Sequence, residues 1–431
     1  MEVIAATPLA RLGRMRILFC STAGAGHLGP LLPVARDLSG RGHEVLFLLP
    51  PAGRRPADEA GFAVEQAPAP EPAADLAIQQ AIREDPTRAP VLINRDYFGR
   101  LCTAATLPAA EELCARWKPD LVLHEAAEYA SALAAHRAGI PHAQVAIGLA
   151  GIEWASLHHH AAHELPAFQP DAVDVIASSP YLTRLPEGLD PSPYGRTLRY
   201  RDPAQTAAPA APPEAGSLET APAPSGEAEA LLAELAASGG RLVYATLGSM
   251  AGSSQWSPGA YRVLLDAFGR LGRAEQDVRV LLTLGRGLDP AELGPIPANT
   301  RVAAWVRQES AFAAARAVVS HGGSGTAYGA LAAGLPSVFF PLFADQPHNA
   351  LQIAAGGAAV AVDTLDLRRH GMPPAAEPAD RARLTALADE VAAALARVLR
   401  EPAYTARAVE LGAQLTALPP LAAALGTLVP V

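Results

Sequence analysis

Apolar residues along the chain fall into short runs separated by glycine turns and by stretches with the three-to-four spacing of helices. RILFCS at Arg16 to Ser21 is one such run, a compact buried strand. It is followed by the turn Thr22-Ala23-Gly24-Ala25-Gly26-His27, a helical pattern from Leu31 to Ser39 that stops at Gly40 or Gly42, and a second strand from His43 to Leu49. Asp120 to Glu125 and His142 to Gly148 read as further strands, with an alanine-rich helix at Ala130 to Ala138 between them. Strand alternating with helix in this way predicts Rossmann-like α/β layers around a parallel sheet.

The pattern breaks at Arg201 to Gly226. Pro203, Pro209, Pro212, Pro213, Pro222 and Pro224 sit there among Ala, Ser and Glu, the composition of a flexible linker. The alternation then resumes, with strands expected at Arg241 to Leu247, Val278 to Leu284 and Thr300 to Ala304 and a helix at Ala260 to Leu271. Val318 to Ile353 is the densest stretch. Ala317 to Val319 continue a buried strand that ends in Ser320-His321-Gly322-Gly323-Ser324-Gly325-Thr326, and a helix is expected from Thr326 to Ala333. The N–H groups that open such a helix, with the positive end of its dipole behind them, make an anion site. Gly334-Leu335-Pro336 stops that helix, and a strand from Ser337 to Pro341 leads to Asp345, Gln346 and Asn349. Polar groups at the carboxyl ends of consecutive strands lie where open α/β sheets bind ligands. Helices at Ala379 to Leu399 and Tyr404 to Leu415 end the chain.

The combination His-Gly-Gly-x-Gly-Thr, Ala-Leu-x-x-Gly-x-Pro, Pro-x-x-x-Asp-Gln-x-x-Asn-Ala resembles the nucleotide-sugar signature of the inverting glycosyltransferases of the two-Rossmann-domain GT-B fold, such as those of bacterial antibiotic, macrolide and enediyne tailoring. The resemblance implies two Rossmann-like domains facing across a cleft. The boundaries expected are an acceptor domain over 15–202, a linker over 203–238, a donor domain over 239–403, and a C-terminal helical segment over 404–431 crossing back to the first domain. Residues 1–14 look dispensable, with Met15 the more natural start.

The resemblance also implies roles for single residues. His27 resembles the general base, because a neutral imidazole titrating near about 6.5 can take a proton at working pH; a histidine packed beside the turn is the competing reading. Glu125 would accept the His27 ring N–H as the third member of a triad does, although the family usually has aspartate there. An exposed carboxylate capping the loop is the alternative. Ser249 resembles the serine on the donor phosphates, or is a plain turn serine. Trp305 resembles the tryptophan that stacks the nucleobase and Gln308 its partner. Arg307 stands where many relatives have proline, which leaves the rigidity of that loop in doubt. His321, Gly323, Ser324, Gly325 and Thr326 would hold the diphosphate, and Asp345 and Gln346 the sugar hydroxyls. Uridine-specific relatives commonly offer a ribose-binding glutamate eight positions beyond the motif histidine, where this chain has Gly329. A thymidine diphosphate sugar, a deoxysugar, is therefore the expected donor, unless Gly329 serves only close helix packing.

Length and charge narrow the alternatives. A chain of 431 residues exceeds one ordinary core. Half its residues are hydrophobic, aromatics are few, and Lys118 is the sole lysine, a bias of high-GC bacterial genomes. A net charge of −9 argues against a nucleic-acid partner, since phosphate-backbone binding needs a basic face. Cys20, Cys102 and Cys114 suit a reducing compartment. Met1 to Arg14 lacks the pattern of a signal peptide and no apolar run reaches membrane-spanning length, so a cytoplasmic protein with no membrane partner is expected. The first turn is not GxGxxG and no acid ends the second strand, which argues against a nicotinamide site. Four histidines lie within Trp154 to Phe168, and His159 and His163 could share a helix face; further ligands at metal spacing are missing, so an amphipathic lid over the acceptor pocket is expected and no metal or other cofactor. The partners expected are the nucleotide-sugar donor and a lipophilic small acceptor. A homodimer stays open, as do a nucleotide-sugar epimerase on the same fold and a non-catalytic nucleotide-sugar-binding helper.

Overall fold

A computed structural model describes residues 13–22, 24–203, 226–248, 259–285, 288–370 and 378–428. The chain forms two compact units, Met1–Ala208 with Leu415–Val431, and Pro209–Gln414.

In the first unit seven strands make one parallel sheet: β1 (Arg16–Cys20), β2 (Glu44–Leu49), β3 (Ala63–Gln66), β4 (Leu121–Glu125), β5 (His142–Val145), β6 (Tyr181–Thr183) and β7 (Thr197–Arg199). Their order is β3-β2-β1-β4-β5-β6-β7, so the chain switches direction across the sheet between β1 and β4. Ile17 and Phe19 enter one core with Leu28, Leu31 and Val34, while Leu18 and Cys20 enter another with Leu133 and Ile176. Both faces of the sheet are covered, which explains apolar runs without polar alternation. Leu421, Ala424, Leu425 and Leu428 from the end of the chain complete the core around Ile17 and Phe19.

The second unit repeats the plan with six parallel strands: β8 (Arg241–Thr246), β9 (Val278–Thr283), β10 (Thr300–Ala303), β11 (Ala317–Ser320), β12 (Ser337–Phe339) and β13 (Ala359–Ala361). The order β10-β9-β8-β11-β12-β13 places its switch between β8 and β11. Val243 and Ala245 face one core, Leu242 and Tyr244 the other.

Most strands end one to three residues before the apolar runs do. His142 to Gly148, for instance, is a strand only to Val145, because the Ile147 and Gly148 N–H groups turn aside to the Glu153 carboxylate at 2.8 and 2.5 Å. The expected boundary segment is described only up to Pro203 and again from Gly226, where a helix runs to Ala237. No helix among the described residues is long and apolar enough to cross a membrane.

Candidate functional site

At the switch of the first sheet, Cys20 of β1 is paired in register with His124 of β4. The two strands therefore deliver Thr22 and Glu125 side by side. Glu125 is fully buried. Its Oε1 lies 3.0 Å from His27 Nδ1 and accepts the Thr22 hydroxyl at 2.7 Å and the Thr22 N–H at 3.1 Å, while Oε2 accepts the Ala127 N–H at 2.6 Å. Burial alone would raise the pKa of this carboxyl; the His27 charge and these donors outweigh burial and hold it below the usual carboxylate range. The extra methylene of glutamate is thus accommodated, with every oxygen used.

His27 sits in the one-turn helix Ala25–Leu28, whose His27 and Leu28 N–H groups both reach the Gly24 carbonyl. Gly24 is required by closeness: a Cβ there would stand 2.9 Å from His27 Cδ2. The ring centroid of Phe98, from the π-helical segment Leu92–Cys102, is 5.0 Å away and gives the imidazole an aromatic neighbour. With Nδ1 turned to Glu125, the ring nitrogen suited to receive a proton is Nε2.

Thr22 and two buried carboxylates nearby were not singled out from the sequence. Glu128 accepts the Ser131 N–H at 3.2 Å and the Ser131 hydroxyl, capping the helix Ala130–Arg137, and burial with the nearby Glu125 charge pushes its pKa up to about 7. Glu153 takes the Tyr181 hydroxyl at 2.6 Å besides the two loop N–H groups, and burial pushes it up to about 7 as well. Both brace strand-end loops. Their only sequence signal is an acidic residue within an otherwise apolar segment.

The expected lid segment does form a helix, Ala150–His159, but it breaks at His160 (φ −126°, ψ −67°) into short 3-10 turns, so His159 and His163 do not share a helix face. Among the described residues no group of three or more metal-ligating side chains occurs.

In the second unit the equivalent switch carries His321. Ser320 is in register with Thr246, and the imidazole lies between Gly248 and Gly323, where a Cβ would stand 2.7 and 2.4 Å from its ring. Its Nδ1 is buried, with no side-chain hydrogen-bond partner among the described residues. Desolvation pushes its pKa down to about 4, against a smaller opposing pull from Asp345 and the Thr246 backbone, so the ring is neutral. Gly322 (φ +84°) lets the chain pass over the Gln346 carbonyl, 2.8 Å from where a Cβ would be.

The helix after this turn is Ser324–Ala332, starting two residues earlier than the pattern predicts, with Gly323 at its N-cap. Asp345 Oδ2 accepts the Ser324 hydroxyl at 2.8 Å and Asn349 Nδ2 at 2.7 Å. Asn349 also reaches the Gly322 carbonyl at 3.0 Å and takes the Tyr328 hydroxyl at 2.9 Å. Ala344, at φ +55°, turns the chain immediately before Asp345, a left-handed conformation that costs a non-glycine residue about 1–2 kcal/mol. Gln346 is buried, and its Oε1 is taken by the Leu342 and Phe343 N–H groups at 2.8 and 3.1 Å, leaving only its amide nitrogen for a ligand. Gln308 Nε2 donates to the Thr326 hydroxyl at 2.9 Å, bringing the loop after β10 to the glycine helix.

Trp305, half-buried, precedes that contact. Arg307 has a proline-like φ of −66° and is tied down: its N–H and its Nε meet Glu229 Oε1 at 3.2 and 3.3 Å. An ion pair to Glu229 thus stands where many relatives have a pyrrolidine ring. Gly329 packs against Phe312, whose ring carbon would be 3.0 Å from an added Cβ. Ser249 lies outside the described residues. The predicted residues thus form two clusters, His27 with Glu125 in the first unit, and Gln308, His321, Gly323 to Thr326, Asp345 and Gln346 in the second.

Two families match the chain. "UDP-glucoronosyl and UDP-glucosyl transferase" matches residues 215–379, and "Erythromycin biosynthesis protein CIII-like, N-terminal domain" matches residues 93–195. The elloramycin glycosyltransferase of Streptomyces olivaceus is 30% identical, covering 94% of both chains. The L-demethylnoviosyl transferase of Streptomyces niveus is 30% identical over 82% of this chain and 87% of its own. Among solved structures, a spinosyn rhamnosyltransferase complexed with thymidine diphosphate shares the fold, with a TM-score of 0.68 and 20% identity over 96% of this chain and 99% of its own.

Proposed function

The chain belongs to the bacterial natural-product glycosyltransferases, and from that premise we propose that it moves a deoxysugar from a thymidine diphosphate donor to a hydroxyl of a lipophilic aglycone, with inversion at the anomeric carbon. The observation that carries the reading is the His27–Glu125 contact of 3.0 Å between a strand-exit imidazole and a buried, ionised carboxylate. In this reading the acceptor O–H proton passes to His27 Nε2 as the acceptor oxygen bonds to the anomeric carbon, and the bond from that carbon to the diphosphate breaks, the electron pair leaving with the phosphate oxygen. A single displacement inverts the centre. Glu125 stabilises the imidazolium and fixes the tautomer.

The developing diphosphate charge would meet the N–H groups of Ser324, Gly325 and Thr326 and the helix dipole behind them, with neutral His321 donating a hydrogen bond. Ser249, through its hydroxyl and backbone N–H, is proposed to add to that cradle, Trp305 to stack the base, and Asp345 with the Gln346 amide to hold the sugar. A metal-independent reaction follows, so activity should persist in chelator. The thymidine preference is supported by a protein of the same fold whose structure contains thymidine diphosphate; Gly329 lacks the glutamate of uridine-specific relatives, but its Cβ direction is taken up by the Phe312 ring, which favours the close-packing role for that glycine. The proposed acceptor domain is residues 15–202 and the donor domain 239–403, and a cytoplasmic location is proposed for the whole.

Incubation with a dTDP-deoxysugar and a panel of aglycones, following thymidine diphosphate release and glycoside formation by chromatography, tests the reading. Acceptor-dependent release is expected. A sugar product epimerised without acceptor, or donor binding with no turnover on any aglycone, would sink it.

A further inference from the structure

We infer that Thr22 is a positioning residue of the proton-transfer machinery, one that sets the His27 tautomer together with Glu125; the inference rests on the reading of His27 as the base. Glu125 Oε1 and Thr22 Oγ1 lie 3.0 and 3.1 Å from the same His27 Nδ1, and they lie 2.7 Å from each other. Three heavy atoms within hydrogen-bonding reach of one another share only two protons. An ionised carboxylate has no proton to give, and three donors besides the ring, the Thr22 hydroxyl, the Thr22 N–H and the Ala127 N–H, favour the ionised form of Glu125. The Thr22 hydroxyl proton therefore points to Oε1, which turns an oxygen lone pair toward Nδ1. Nδ1 faces two acceptors, so it carries the proton in the neutral ring, and Nε2 presents its lone pair.

Thr22 has a second effect of opposite sign. By donating to Oε1 through both its hydroxyl and its N–H, it takes up part of the carboxylate's negative charge and moderates the pull of Glu125 on the imidazolium. The 2.7 Å charge-assisted bond is stronger than the 3.1 Å contact to Nδ1. Losing the hydroxyl should thus leave a carboxylate that holds the imidazolium more tightly, while loosening the ring's alignment. The backbone places this residue: Thr22 follows β1 by two positions, and the register of β1 on β4 brings it beside Glu125 although 103 residues separate them.

The test uses the full-length enzyme with Thr22→Val, Thr22→Ser and His27→Ala, reading kcat against pH, donor KM and thermal stability. For Thr22→Val the expected results are a plateau kcat lower by roughly 3- to 30-fold, at the low end of what proton-transfer geometry contributes, and an acid limb moved upward by on the order of half a pH unit as the carboxylate loses a donor. Donor KM should change less than about twofold, since the donor cradle is not touched. Thr22→Ser should restore both rate and limb. A Thr22→Val enzyme with the parent kcat and limb, whatever its stability, or one whose limb moves downward, overturns the inference while an inactive His27→Ala leaves the base assignment standing. An active His27→Ala enzyme overturns both. A stability loss that Thr22→Ser repairs without repairing the pH profile shows a purely structural threonine and also overturns it.

Discussion

His27 and His321 both stand at the switch of their parallel sheets, His27 in the glycine turn after β1 and His321 directly after β11, which borders its switch on the side that β4 takes in the first unit, and their surroundings give them opposite electrostatics. His27 has a buried, ionised carboxylate on Nδ1 and keeps 23% of its side chain exposed. A proton arriving on its ring is stabilised. His321 is held between two glycines with its Nδ1 buried, and desolvation pushes its pKa down to about 4. Charge on that ring is resisted, so it is neutral beside a helix N-terminus, as the proposed hydrogen-bond donor to the diphosphate requires. The residue type is the same in the two units, although the histidine follows the glycines in one turn and precedes them in the other; a buried carboxylate on Nδ1 is what separates the electrostatics of the two rings.

The comparison breaks most visibly on removal of the first ring. His27→Ala should lower turnover by about 10²- to 10⁴-fold with donor affinity unchanged, the worth of a general base. Near-normal turnover, measured by nucleoside diphosphate release, would place His27 among packing residues. On the donor side the losses should appear in binding instead. Trp305→Ala should weaken thymidine diphosphate by roughly 1–3 kcal/mol in calorimetry, the usual cost of losing a base-stacking surface; an unchanged Kd would make Trp305 a core residue.

Gly329→Glu tests the donor's nucleotide. The new carboxylate offers a ribose partner worth about 1–3 kcal/mol toward uridine. It must first displace the Phe312 ring, 3.0 Å from the new Cβ. The ratio of kcat/KM for matched uridine and thymidine sugars should therefore rise by less than that full amount, and a parent enzyme that already favours uridine would refute the preference.

Arg307→Pro keeps φ near its observed −66° but removes both contacts to Glu229. Nucleotide affinity should fall by about 1 kcal/mol, a typical net hydrogen-bond contribution. Parent affinity would show that backbone stiffness alone suffices there. The smallest effect expected is a pH response that does not occur. With the His321 pKa at about 4, the ring is unprotonated above that value, so affinity for the intact donor should stay flat from about pH 8 to about pH 5, while kcat, which depends on an unprotonated base, should decline on the acid side. Donor affinity that tracks the kcat limb would mean His321 titrates in the working range, and the contrast between the two rings would fail.

Local sequence determined a good deal about this protein. β1 with its glycine turn and following helix, β11 with its own, and the stop at Gly334 are legible because strand runs, helical spacing and glycine turns are set by near neighbours along the chain. Helix and strand ends differ by one to three residues where a side chain from elsewhere claims the last N–H, as Glu153 does after β5. Other features depended on the tertiary structure alone. Glu125 reaches His27 across 98 residues, Arg307 finds Glu229 across 78, and the Gly248 that grips His321 comes from another strand. Parallel sheets join strands through long crossovers, so residues that meet at a switch point are distant in sequence and carry no shared periodicity. Charge state was beyond the sequence for the same reason: whether a histidine is a base or a neutral donor, or a glutamate is ionised like Glu125 or pushed to about 7 like Glu128, is set by burial and by the donors around it, and those come only with the fold.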